Sequence, residues 1–154
     1  LLHRSVRENI LFGRPSANEA QMLSATRAAQ AHEFIQTLSD DDGKHGYDAK
    51  VGERGVKLSG GQRQRIGLAR AIYGETRLIV LDEPNSNLDD QGEQALMRAL
   101  ATLKSEQVTV IIISHRPSVL KVVDQIALMK EGVLVDFGPT ATVLSRLQTQ
   151  KKIG

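Results

Sequence analysis

Two stretches of this sequence carry residues whose types and spacing can do chemistry. Leu78-Ile79-Val80-Leu81 is an unbroken apolar run that delivers two consecutive carboxylates, Asp82 and Glu83, to its end just before Pro84. In open α/β sheets that end of a strand is where ligands bind, and carboxylates there serve as oxygen ligands for a hard cation or polarise a water. An acidic pair also simply closes a strand before a turn. Leu58-Ser59-Gly60-Gly61-Gln62 opens a second, helical pattern. Its glycines let the backbone approach a ligand, the helix start presents free N–H groups to an anion, and Ser59 adds a hydroxyl donor. The plainer alternative is a glycine-rich cap of an ordinary helix. His115 ends a further apolar run, Val110 to Ile113 followed by Ser114, a place where a lone histidine is also a common polar turn residue. His3, His32 and His45 have no comparable setting.

The elements that must position these residues follow from apolar spacing. Ser16 or Asn18 can cap a helix, and residues 19 to 38 read as mostly helical. The density of Asp and Gly from Ser39 to Gly55 predicts a loop. A helix is expected from Ser59 to about Tyr73, with Ile66, Leu68, Ala69 and Ile72 inward, Arg63, Arg65 and Arg70 on a wetter side, and Gly74 as the stop. Strands are expected at Leu78–Leu81, Val108–Ile113, Gln125–Met129 and Gly132–Phe137, and helices at 89–104, 117–123 and 140–147. The Val/Ile/Leu runs lack period-two alternation, which suits strands covered on both faces in a parallel α/β sheet. The segment from Leu1 to Phe12 shows no opening cap and reads as a cut end.

Composition narrows the classes. The 154 residues are 40% apolar and 25% charged, an ordinary globular balance for one domain. There is no cysteine, which excludes disulfides, thiolate metal sites and cysteine nucleophiles. The net charge of +2 is spread along the chain and aromatics are 3%, so no nucleic-acid partner is expected. No apolar run approaches the roughly 20 residues that cross a bilayer, and no signal sequence opens the chain; any membrane contact is expected to be peripheral or through a partner.

Leu58 to Gln62 spells LSGGQ, which has a chance probability on the order of 10⁻⁴ in a chain this long, and it resembles the signature motif of the ATP-binding cassette family. Leu78 to Glu83 resembles that family's Walker B motif, and His115 its switch histidine. Asn85-Ser86-Asn87-Leu88-Asp89 resembles its D-loop, with Asn87 in place of the usual alanine. Val51-Gly52-Glu53-Arg54-Gly55 looks like the segment with which exporters touch their transmembrane domains, though a charged turn is an equal alternative. Ser5 to Gly13 resembles what exporters place after the Q-loop. The resemblance implies ATP and Mg²⁺ as cofactors. Asp82 would support Mg²⁺, partly through water, Glu83 and His115 would arrange the attacking water, and Ser59, Gly60, Gly61 and Gln62 would stabilise the γ-phosphate of ATP held by a second nucleotide-binding domain. Asp89 would signal across that dimer and also cap its own helix. Gly52, Glu53 and Arg54 would couple to a transmembrane domain at the cytoplasmic face of the membrane, the chain itself being soluble.

The resemblance also implies the fold, an α/β core of the P-loop NTPase type with a mostly parallel sheet. A helical signature subdomain would occupy about 1–74 and the C-terminal part of the catalytic core about 75–154. No G-x-x-x-x-G-K-[ST] is present and no Q-loop glutamine precedes Ser5. The expectation is therefore an incomplete domain, inactive alone, whose strand at 108–113 keeps an unpaired apolar edge. Residues up to the signature look most like multidrug or lipid exporters, and residues 85–89 and 114–118 more like type I protein secretion. One chain mixing both and a composite joined near residues 58–70 each fit. Outside export, a soluble ATPase of the same superfamily acting on DNA or ribosomes and a non-catalytic interaction piece are the alternatives.

Overall fold

The computed structural model describes residues 1–12, 14, 17–55, 57–86 and 88–151, the side chains of 54, 150 and 151 aside. Two compact units divide the chain, Leu1–Ser114 and His115–Gly154.

In the first unit, α1 (Val6–Ile10) begins at a capping box. The Ser5 hydroxyl accepts from the Glu8 N–H and the Glu8 carboxylate accepts from the Ser5 N–H, which satisfies two donors that a helix start leaves open. The opening segment thus has the cap that the sequence reading denied it; Ser5-Val6-Arg7-Glu8 is the S-x-x-E pattern that signals one. Asn18 caps α2 (Glu19–Ala28), while the alternative cap Ser16 lies outside the described residues. The expected helix over 19–38 is two helices, α2 and α3 (His32–Gln36). The break falls at Gln30, whose φ of 55° is left-handed and lets the Ala31 N–H reach back to the Thr26 carbonyl at 2.7 Å. The segment 39–55 is loop with single 3₁₀ turns at Gly46–Asp48 and Glu53–Gly55.

Helix α4 (Gly60–Ile72) follows, then β1 (Leu78–Asp82), α5 (Asp90–Ser105) and β2 (Thr109–Ile113). Helix α4 packs against α1, α2 and α5, and α5 also against β2. Ile10, Met22, Ile35, Ile66 and Leu103 fill the core between them. Strands β1 and β2 are parallel, with Leu78 opposite Thr109 and Asp82 opposite Ile113. Expected burial on both faces does not occur: Ile79 is 3% exposed, whereas Leu78, Val80, Ile111 and Ile113 are all half-exposed or more. Among the described residues β2 pairs with β1 alone.

The second unit holds an antiparallel pair, β3 (Gln125–Lys130) and β4 (Val133–Pro139), joined by a tight two-residue turn. Glu131 and Gly132 there have φ of 51° and 78°, the left-handed pair that two-residue hairpins require. Helix α6 (Thr140–Lys151) packs on both strands. The helix expected at 117–123 is only a 3₁₀ turn, Val119–Lys121: the N–H groups of Val119 to Val122 each bond the carbonyl three residues back, the tighter pattern that seldom runs beyond one turn. Each sheet is small, one parallel and one antiparallel, within the α/β class expected.

Candidate functional site

Ser59 is the N-cap of α4. Its hydroxyl oxygen accepts from the Gln62 N–H at 3.2 Å, and the Gln62 side-chain oxygen accepts from the Ser59 N–H at 2.9 Å. This reciprocal box uses the hydroxyl as an acceptor and leaves its proton available to donate. The next N–H to find an acceptor is that of Arg63, bonded to the Ser59 carbonyl. The N–H groups of Gly60 and Gly61, in the first turn, have no intrahelical acceptor, and that turn holds no acidic side chain. The donor set of Ser59, Gly60 and Gly61 fits an anion such as a phosphate at the positive end of a 13-residue helix.

Asp82 ends β1 on its open face, in line with Leu78 and Val80, and is itself exposed. Glu83 continues the parallel ladder through its N–H to the Ile113 carbonyl at 2.8 Å, yet its φ is 45°. Three other non-glycine residues have positive φ; Gln30 and Gln107 follow helix ends and Glu131 lies in the hairpin. Glu83 alone adopts it at a strand end, a conformation that costs about 1–2 kcal/mol. Its Oε2 is buried. Just beyond, buried Asn85 accepts from the Ser114 hydroxyl at 3.1 Å, tying the ends of β1 and β2. Two tandem carboxylates, with no cluster of three metal-ligating side chains among the described residues, match Mg²⁺ better than a caged metal, because Mg²⁺ takes one or two carboxylates and completes its shell with water and substrate phosphates.

Asp89 caps α5, accepting from the Gly92 N–H at 2.8 Å. Leu88 before it lies against Gly61, so the acidic loop and the start of α4 are neighbours. Asn87, the departure from the D-loop pattern, lies outside the described residues. Gly52 has φ of 76° and opens the 3₁₀ turn on which Glu53 is exposed; the Arg54 side chain is outside the described part. His115 begins the second unit.

Sequence reasoning missed a polar clamp at the other end of α4. Arg70, expected on a wet face, donates from Nε to the Asn9 carbonyl at 2.6 Å and from Nη2 to Asn9 Oδ1 at 3.1 Å. Burial lowers its pKa, and its guanidinium also lies over the Phe12 ring. Asn9 is 0% exposed; its Oδ1 also accepts from the Leu2 N–H, and its Nδ2 donates to the Leu2 and Ser5 carbonyls. Arg65 likewise folds inward, onto the Phe34 ring and the Gln30 carbonyl. A buried Asn three residues before an exposed Phe has no signature in apolar spacing; only the tertiary contact reveals it. His32, given no role, shares a hydrogen bond with the Tyr47 hydroxyl at 2.8 Å, which Thr26 also meets at 2.7 Å.

Comparison with known proteins identifies the family. The family described as ABC transporter matches residues 1–86. An uncharacterized ABC transporter ATP-binding protein of Haemophilus influenzae is 47% identical over 94% of this chain and 23% of its own length. A type I secretion system ATP-binding protein of Rhizobium meliloti is 41% identical over 97% of this chain and 25% of its own. The structure of a bacterial Atm1-family ABC exporter with ATP bound superposes with a TM-score of 0.80 at 34% identity, over 95% of this chain and 24% of that one. The chain thus spans about a quarter of the length of these relatives.

Proposed function

This chain belongs to the ABC transporter family, and on that premise we propose that it forms the signature and Walker B portion of an exporter's nucleotide-binding domain, driving export by ATP hydrolysis. The observation that carries this reading is the first turn of α4, where the capping box fixes Ser59 and Gln62 while Gly60 and Gly61 keep their N–H groups for a ligand. In the full-length protein the Ser59 hydroxyl and those N–H groups donate to the γ-phosphate of ATP carried by a second nucleotide-binding domain. Mg²⁺ bound with ATP would neutralise charge on the transferred phosphate, and Asp82, exposed at the strand end, would hold the ion directly or through water. Glu83, next in the chain, accepts a proton from the attacking water, and His115 donates to the γ-phosphate. Little covalent work falls to the protein, since phosphoryl transfer depends on positioning and electrostatics.

The division of labour we propose follows the sequence, with a signature subdomain at about 1–74 and part of the catalytic core at about 75–154. Gly52, Glu53 and Arg54 meet a transmembrane domain, which puts the nucleotide-binding domain at the cytoplasmic face of a membrane; no helix among the described residues is itself long and apolar enough to cross one. The 154 residues contain no G-x-x-x-x-G-K-[ST], so this chain by itself is not expected to bind ATP tightly.

Glu83→Gln in the full-length protein tests the reading. ATP binding should persist while turnover falls by roughly 10²-fold or more, the contribution of a general base. Unchanged turnover would remove Glu83 from its role.

A further inference from the structure

The first turns of α4 and α5 meet on two glycines with Leu88 between them. A Cβ built on Gly61 would touch Leu88 Cδ2 at 3.5 Å and the Gly92 Cα at 3.7 Å. One built on Gly92 would fall 3.0 Å from Asp89 Oδ1, 3.2 Å from Leu88 Cδ2 and 3.3 Å from Leu88 Cβ. Gly92 sits inside a helix with ordinary φ, so its lack of a side chain serves space rather than backbone freedom. Space left around Leu88, walled also by Leu68 and Leu96, is only about 10 Å³, the lower limit of what one water needs. Half-buried Leu88 packs its side chain on both glycines. Asp89, next in the chain and bonded to the Gly92 N–H, is held near Gly61 by the same contact.

We propose that Leu88, wedged between Gly61 and Gly92, is a positioning residue that holds Asp89 and the signature glycines as one rigid piece. Both contacts this chain offers a second nucleotide-binding domain, the signature turn and the D-loop aspartate, are then made together or not at all. The inference rests on the function proposed above. Close-packed joints have discrete arrangements rather than graded ones, and a side chain packed on both glycines converts two separate loops into one docking surface.

Cross-linking of the two nucleotide-binding domains in the full-length protein, titrated with ATP in a Glu83→Gln background, tests this beside the thermal midpoint of each variant. Leu88→Ala removes the wedge without adding volume and should raise the ATP concentration needed for closure about tenfold. Gly92→Ala pushes the wedge out and should do the same, with a lowered midpoint. Leu88→Met, which keeps an apolar side chain of similar volume on the two glycines, should restore closure to near that of the Leu88 protein. Closure that Leu88→Ala leaves unchanged, or that Leu88→Met impairs as much as Leu88→Ala does, overturns the proposal. Should the Glu83→Gln protein itself show no ATP-dependent closure with Leu88 and Gly92 intact, the proposed function fails, and this inference falls with it.

Discussion

Between α4 and the β1–β2 pair, similar apolar side chains meet opposite fates. Ile66 in α4 is fully buried, closed in by α1, α2 and α5, while Val80 at the centre of β1 is 59% exposed beside a half-exposed Ile111. A helix in this packing presents one stripe, and three neighbouring helices suffice to cover it. A strand pair presents two faces, and only the face bearing Ile79 is covered. The contrast extends to the polar groups. Around α4 the caps, Asn9 and Arg70 form a closed set of hydrogen bonds, so the signature turn stands on a rigid support. Asp82 stands at the end of the open apolar row. The turn proposed to bind an anion thus stands on packed helices, while the carboxylate pair rests on a strand pair with one exposed face.

Substitution can break this contrast or sharpen it. Ile66→Ala should destabilise the fold by about 3 kcal/mol, through lost transfer energy and a cavity that the surrounding helices cannot close. Val80→Ala, the matching truncation on the open face, should stay within about 0.5 kcal/mol. Denaturant unfolding of the full-length protein measures both, and a Val80 effect as large as that of Ile66 would mean that the open face is covered in solution. Next in size is Asn9→Ala, expected to cost about 2 kcal/mol because Arg70 loses an acceptor inside a part-buried site. Asn9→Asp, which keeps the acceptor oxygen, should recover part of that loss, and equal stability of all three proteins would show the clamp to be idle.

The smallest effect concerns the loop between α3 and α4. The Asp40 carboxylate accepts from the Lys50, Lys44 and Asp42 N–H groups, and the Lys50 bond foremost holds its pKa below the ordinary value. A lowered folded-state value means that the hold is complete at neutral pH, above the unfolded-state value, and is lost as pH falls through the folded one. An NMR titration of the Asp40 carboxyl should therefore place its midpoint below the ordinary aspartate range. Asp40→Asn should remove the acid dependence of amide protection at Lys44 and Lys50. A midpoint at or above that range would mean that the loop is not held this way.

Much of this was legible before any coordinates, and the reason is local. Ser59 with Gln62 and Asp89 with Gly92 are i to i+3 relations, closed by a helix turn whatever surrounds it. Ser5 with Glu8 is equally local and was there to be read. The strands at 78–82 and 109–113 also declare themselves through β-branched runs. Gln30 was not legible as a break, because non-glycine residues take left-handed φ only when neighbouring contacts stabilise it, here Arg65 on its carbonyl.

What the sequence by itself determined is the order of the chemical groups and the short-range bonds that set each one on its element. Signature turn, carboxylate pair and capping aspartate are all written in consecutive residues. Tertiary structure alone decided which face of β1 is covered, that Arg70 turns inward onto Asn9, 61 residues away, and that Leu88 seats between Gly61 and Gly92. Those outcomes depend on close approach of distant segments, where a missing Cβ or a buried amide is decisive and residue spacing along the chain carries no record of it.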